Sequence, residues 1–176
     1  MLSLQHAAFA LGWRGVVIAD VAVLGSRVSA VVRVHRDVHR WRVRNGWPPE
    51  TDPSWFRSWF EPELHDRLPV SAVELVGVLV EEATLHNALR ACGTLMTLAP
   101  CAVVLSTPQH DPWPLIELDY YGIGVVTTLA DGSSEVSIPP EDRSGEFGPS
   151  LFGRWLLEVL YDRVLKAEVA RARARR

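Results

Sequence analysis

Residues 71–89 read SAVELVGVLVEEATLHNAL, and the interpretation of this apolar run decides how the rest of the chain is assigned. Ser71 and Glu74 match the S-x-x-E capping box, in which two side chains satisfy open backbone donors at a helix start. The run from Val73 to Leu89 then predicts a helix that ends near Gly93. Gly77 inside it indicates a close helix contact or a break, since glycine costs about 1 kcal/mol relative to alanine in a helix.

The residues upstream of this run also favour helices. Ser3 and Gly12 bound a short first helix. Over residues 15–32 the periodicity does not separate strand from helix. From Arg27 to Arg44, valines with Trp41 and arginines with other polar residues lie on opposite faces at about 100° per residue, which predicts an amphipathic helix.

The residues after Pro100 have the patterns of β-strands. CAVVLST (101–107) is short and apolar. LIELDYY (115–121) alternates, with Ile116, Leu118 and Tyr120 on one face and Glu117, Asp119 and Tyr121 on the other. The Asp131-Gly132 pair predicts a hairpin between the segments on either side of it.

We therefore predict a single α+β domain over residues 1–176. It has a mainly helical part over about residues 1–98 and a small antiparallel sheet over about residues 101–139. A long C-terminal helix over about residues 150–172 is expected to pack on that sheet, because its apolar positions form a wide face.

The composition limits the function only broadly. Of 176 residues, 48% are hydrophobic, the formal charge is −3, and Lys166 is the single lysine. There is no G-x-x-x-x-G-K-[ST] string, so P-loop phosphate binding is excluded.

Two cysteines are too few for a disulfide framework, and no signal-like N-terminus is evident, so we expect a cytoplasmic protein. Asp20 and Arg27 argue against a membrane span over residues 15–32, because each costs about 2.5–3.5 kcal/mol at a helix centre.

The leading functional hypothesis rests on residues 53–60, PSWFRSWF. Asp52 is a suitable N-cap and Pro53 a suitable first residue for a short helix. On that helix the four aromatic side chains fall on one face, at Trp55, Phe56, Trp59 and Phe60. A helix this short must bury its apolar face on something, and clustered tryptophans are typical interface anchors. We therefore predict a non-enzymatic interaction or assembly module that binds a protein partner or itself; burial of this face in the chain's own core is the competing interpretation.

DNA binding is the alternative hypothesis. Residues 68–95 resemble the two helices of a helix-turn-helix protein with an insertion between them, and they would bring His86, Asn87 and Arg90 near the bases. An arginine stripe could follow a phosphate backbone through Arg33, Arg36, Arg40 and Arg44. Against this, the chain is acidic overall and Glu81 and Glu82 lie where phosphates would approach.

Catalysis is the third hypothesis, as a small hydrolase centred on the loop that carries His110. No G-x-S-x-G string supports it. His35 with His39 and Glu82 with His86 have the i,i+4 spacing of paired metal ligands, and Glu117 with Asp119 would share one strand face. No third ligand is evident, so no metal or cofactor is predicted.

Overall fold

The structure is a computed structural model that describes residues 2–58, 69–81, 84–107, 109, 111–146 and 150–174. Within these residues it contains helices, strands and one short 3₁₀ helix, Ser144–Glu146. The α-helices are α1 (Leu2–Ala10), α2 (Arg36–Arg44), α3 (Pro53–Ser58), α4 (Leu85–Leu95), α5 (Pro112–Tyr120) and α6 (Leu151–Ala174). The strands are β1 (Val16–Val23), β2 (Ser26–Val34), β3 (Val73–Val80), β4 (Cys101–Leu105), β5 (Gly124–Thr128) and β6 (Ser134–Ile138).

The strands form one mixed sheet whose order follows the chain, β1-β2-β3-β4-β5-β6. β1 and β2 pair antiparallel, β3, β4 and β5 run parallel, and β6 returns antiparallel to β5. Helices α4 and α5 make the crossovers that parallel neighbours require. The prediction of a mainly helical N-terminal half with a small antiparallel sheet is therefore wrong, since three strands of a six-stranded mixed sheet precede residue 81.

The stretch VELVGVLV forms strand β3, so its prediction as a helix is wrong. β3 pairs in parallel with β4, and Val78, Leu79 and Val80 are all buried. A strand covered on both faces loses the alternation that marks a strand and reads as a continuous apolar run, which a buried helix also produces. Ser71 does not cap a helix; its hydroxyl donates to the carbonyl oxygen of Val73 at 2.7 Å.

The predicted amphipathic helix over Arg27–Arg44 is divided between β2 and α2. Leu24 and Gly25 have positive φ angles and form the two-residue turn of the β1–β2 hairpin. Residues 15–32 are therefore mainly this hairpin. No helix among the described residues has the length and apolarity needed to cross a membrane.

The segment LIELDYY lies largely in helix α5, so its prediction as a strand is wrong. Asp111 caps this helix by accepting a hydrogen bond from the Trp113 backbone N–H at 3.1 Å, and Pro112 occupies its first turn. Proline fits there because the first turn needs no intrahelical N–H donor. Glu117 and Asp119 therefore do not share a strand face.

Other predicted elements are confirmed. The first helix is α1, which Gly12 follows with a φ of +74°; Ser3 does not cap it, because α1 already begins at Leu2. CAVVL is β4, and β5 and β6 form the hairpin around Asp131 and Gly132. The final helix is α6.

The described residues divide into two compact units, while a single domain stays a prediction. The first unit comprises Met1–Val32 and Leu75–Phe147. Its core joins Leu4, Ala7 and Ala8 of α1 to one face of the sheet through Val31, Leu79, Ala102, Val104 and Val126. On the other face, the buried Cys101 thiol of β4 donates to the Cys92 carbonyl oxygen of α4.

The second unit comprises Arg33–Glu74 and Gly148–Arg176, and a buried ion-pair network stabilises it. The Arg42 guanidinium of α2 donates to both carboxylate oxygens of Glu158 on α6, at 2.8 and 2.7 Å. Arg154 donates to the same carboxylate at 2.7 Å, and the Glu50 backbone N–H donates at 3.1 Å. The Arg42 guanidinium also lies 4.8 Å from the centre of the Tyr161 ring. Each buried charge is therefore paired and hydrogen-bonded, as burial requires.

Candidate functional site

Helix α3 begins as predicted. The Asp52 carboxylate accepts hydrogen bonds from the Ser54 hydroxyl at 2.7 Å and the Ser54 backbone N–H at 2.9 Å, and Pro53 is the first helical residue. These bonds, with the hydroxyl first, lower the pKa of Asp52. Within its unit α3 packs against α6, where the Trp155 indole donates to the Thr51 carbonyl oxygen.

Of the predicted aromatic face, only Trp55 has a described side chain. It is 62% exposed. The Phe56 side chain, Trp59 and Phe60 lie outside the part of the chain that is described. The partner-binding hypothesis for residues 53–60 therefore stays a prediction, with one of its four side chains located.

A second aromatic surface lies on α5 and was not predicted from the sequence. Trp113 and Tyr120 are 72% and 79% exposed, and Ile116 between them is exposed as well. At 100° per residue these three positions fall within about 60° of arc, while Leu118 points to nearly the opposite side. Leu118 is buried. We call Trp113, Ile116 and Tyr120 the α5 face.

The charged side chains of α5 itself are acidic. Glu117 and Asp119 are the only ionisable side chains of α5 other than Tyr120, and the helix holds no lysine, arginine or histidine. The spacing i, i+3, i+7 of Trp113, Ile116 and Tyr120 is the sequence signal for such a face. It was missed because the alternation of LIELDYY favoured a strand.

The arginine stripe is shorter than predicted. Arg36, Arg40 and Arg44 are exposed on α2 and fall within about 80° of arc, flanked by the exposed side chains of Trp41 and Val43. Arg33 lies on β2, where its guanidinium donates to Glu74 at 3.0 Å. We call Arg36, Arg40, Arg44, Trp41 and Val43 the α2 face.

The segment 68–95 does not form two consecutive helices, because its described part consists mainly of strand β3 followed by helix α4. His86, Asn87 and Arg90 all lie on α4, where the Thr84 hydroxyl accepts a 3.4 Å hydrogen bond from the Asn87 N–H. The helix-turn-helix interpretation is therefore wrong. DNA binding through exposed basic residues stays a prediction.

Only some of the side chains considered for catalysis or metal binding lie among the described residues. His110 lies outside the described residues, so the hydrolase hypothesis stays a prediction. The His39 Nδ1 lies 3.0 Å from the Tyr161 hydroxyl, and the His35 Nε2 lies 3.9 Å from a Glu74 carboxylate oxygen. Among the residues that the structure describes, no three histidine, cysteine, aspartate or glutamate side chains are grouped as metal ligands.

The two cysteines are buried and unpaired. A hydrogen bond with Cys92, then burial, raises the pKa of Cys101 well above its ordinary value. A thiol held protonated in this way is a poor nucleophile.

No protein family model, curated protein or solved structure matches the chain.

Proposed function

We propose that the protein is a non-enzymatic assembly module that associates with further copies of itself through the α5 face. One observation carries this proposal: Trp113 and Tyr120 stand 72% and 79% exposed on a helix whose opposite side is also apolar. Exposed apolar side chains that group into one patch mark interaction sites. Exposed Trp and Tyr side chains grouped on a rigid helix are also the residues that most often anchor protein interfaces.

Charge complementarity supports a second copy as the occupant. The α5 face is bordered by Glu117 and Asp119, with no cation on its helix. The α2 face presents Arg36, Arg40 and Arg44 beside an exposed Trp41. An acidic aromatic face and a basic aromatic face match in charge, and complementary faces steer and orient association. The α5 face of one copy therefore binds the α2 face of another copy.

Such a contact is heterologous, because it joins two different surfaces. Heterologous contacts generate closed rings or open chains of copies. The proposal therefore expects masses above that of a monomer that rise with protein concentration, or one closed oligomer.

Sedimentation velocity over a range of concentrations tests the aromatic contribution. Replacing both Trp113 and Tyr120 with serine should weaken self-association by at least about tenfold. Truncating an interface anchor typically costs at least about 1–2 kcal/mol of binding free energy. The matched control is Phe9→Ser, which removes an exposed aromatic side chain of α1 and should leave association unchanged. A wild-type protein that stays monomeric up to its solubility limit would overturn the proposal.

A charge-reversal experiment tests the partner. One variant carries Glu117→Arg and Asp119→Arg, and the other carries Arg36→Glu, Arg40→Glu and Arg44→Glu. Each should fail to associate alone, because both of its faces then have the same sign. An equimolar mixture should recover association, because the reversed α5 face of one variant meets the reversed α2 face of the other. Failure of the mixture to recover would contradict an α5–α2 contact.

Trp55→Ser separates this proposal from the hypothesis based on residues 53–60. We expect association of this variant to match the wild type. Loss of association in Trp55→Ser, together with normal association of the Trp113→Ser/Tyr120→Ser protein, would overturn the α5 contact and place the interface at α3.

A further inference from the structure

A crevice of about 850 Å³ opens within the first unit where the parallel strands end. Glu81 follows β3, residues 106, 107 and 109 follow β4, and Thr128 ends β5. Because β3, β4 and β5 are parallel neighbours, these segments meet at one edge of the sheet. Crevices outside the carboxyl ends of parallel strands are the usual ligand sites of such sheets, and this volume lies in the range of small-molecule pockets.

Among the described residues, the polar side chains that line the crevice are neutral hydrogen-bonding groups and one carboxylate. Its described lining contains no lysine, arginine or histidine; the polar side chains are Ser3, Glu81, Ser106, Thr107, Gln109 and Thr128. An anionic ligand would find no opposite charge among these described side chains. A protonated amine would pair with Glu81, and ligand hydroxyl groups match the serine, threonine and glutamine side chains.

The apolar part of the lining suits the carbon skeleton of such a ligand. Val104 and Leu105 come from β4, and Leu129 and Ala130 follow β5. Sites that bind small molecules combine an apolar lining with a few polar groups that set orientation.

A second observation concerns Thr128, which lines the crevice and carries a buried hydroxyl without a hydrogen-bond partner among the described residues. Thr128 and Ser134 stand opposite each other on β5 and β6. Both hydroxyl oxygens are buried, and neither has a hydrogen-bond partner among the described residues. Buried hydroxyl groups are normally paired, so an unpaired one needs an explanation. Thr128 also lines the crevice, so rotation about its Cα–Cβ bond would offer its hydroxyl to a bound ligand.

We infer that this crevice binds a small polyhydroxylated amine, of the amino-sugar or amino-polyol class, with the ammonium group at Glu81. The site is separate from the α5 face and does not depend on self-association.

Three sugars that differ mainly in charge test the inference: glucosamine, glucose and glucose 6-phosphate. Each is titrated at slightly acidic pH, where the amine is protonated, into ¹⁵N-labelled protein carrying Trp113→Ser and Tyr120→Ser. Glucosamine should shift the amide resonances of residues 104–107 and 128–130 at the lowest concentration. Glucose should shift the same amides more weakly, and glucose 6-phosphate should bind weakest. No shift with any of the three, or tighter binding of the phosphate, would overturn the inference.

Glu81→Gln tests the role assigned to the carboxylate. Because a hydrogen bond to a charged group contributes more than a neutral one, glucosamine affinity should fall by about tenfold, while glucose affinity changes by less than about twofold. Glu168→Gln removes an exposed carboxylate from α6, in the other unit, and should change neither affinity. Equal losses for glucosamine and glucose in Glu81→Gln would contradict an ammonium contact at Glu81.

Discussion

Gly77 illustrates how one residue position depends on its tertiary neighbours. The ring of Trp13 lies against the backbone of β3 at this glycine, so that an added Cβ would stand only 2.6 Å from three ring atoms. The glycine that interrupts the apolar run is thus neither a helix contact nor a break. Because glycine has no side chain, this position leaves the space into which the Trp13 ring packs.

We predict opposite effects for two glycine-to-alanine substitutions. Gly77→Ala should lower the free energy of unfolding by about 1–3 kcal/mol, because overpacking displaces the Trp13 ring. Gly93→Ala is the matched control: it lies within α4, and its added Cβ would meet nothing within 4 Å. Alanine in a helix should raise the free energy of unfolding by up to about 1 kcal/mol. Urea denaturation measures both, and a neutral Gly77→Ala would contradict the packing described.

At the scale of elements, the contact between α2 and α6 depends on the Glu158 carboxylate. Burial alone would raise its pKa, but the hydrogen bonds and charges of Arg42 and then Arg154 outweigh burial, so that the pKa of Glu158 is lowered. A carboxyl group whose pKa falls on folding stabilises the folded state above its unfolded pKa. That stabilisation disappears as the pH falls through its folded pKa.

Glu158→Gln should therefore destabilise the protein by about 3–5 kcal/mol at neutral pH, because it leaves the buried Arg42 without a counter-charge. The difference from wild type should shrink as the pH falls below about 4.3, the ordinary glutamate pKa. Asp162→Asn is the control on the same helix: it removes the exposed i,i+4 pair with Lys166 and should cost less than about 1 kcal/mol. Thermal unfolding at several pH values measures both, and a pH-independent difference for Glu158→Gln would contradict the ion-pair assignment.

At the scale of the whole molecule, a net charge of −3 conceals local segregation of charge. The charged side chains of α5 are both acidic, and those of the α2 face are basic, although Arg40 is paired with Asp37 on the same helix. Screening weakens attraction between such faces when they are exposed. An interface held together only by the burial of aromatic side chains would not be weakened by salt in this way.

Raising the salt concentration from about 0.1 M to about 1 M shortens the Debye length from about 10 Å to about 3 Å. Self-association should weaken over this range if the α5 and α2 faces meet, and sedimentation equilibrium measures the change. Association that strengthens with salt would indicate an interface governed by apolar burial alone and would contradict charge complementarity.

Short-range sequence signals were sufficient to predict several elements. Asp52 with Pro53 marks the start of α3, and Asp131 with Gly132 marks the β5–β6 hairpin, because each signal depends on neighbouring backbone groups alone. The length and the wide apolar face of α6 could also be predicted from the sequence. Of the proposed interface, the sequence located Arg36, Arg40 and Arg44 of the α2 face but not the α5 face, because LIELDYY satisfies both strand and helix periodicity.

By itself, the sequence determined the start of α3, the hairpin turn at Asp131 and Gly132, the last helix and the lack of a P-loop. Only the tertiary structure decided that VELVGVLV is a strand, since a segment buried on both faces has no polar side to reveal its period. It also decided that Arg33 and Arg36 belong to different elements, and that β3, β4 and β5 end at one crevice. These features depend on contacts between residues distant along the chain, which local propensity does not encode.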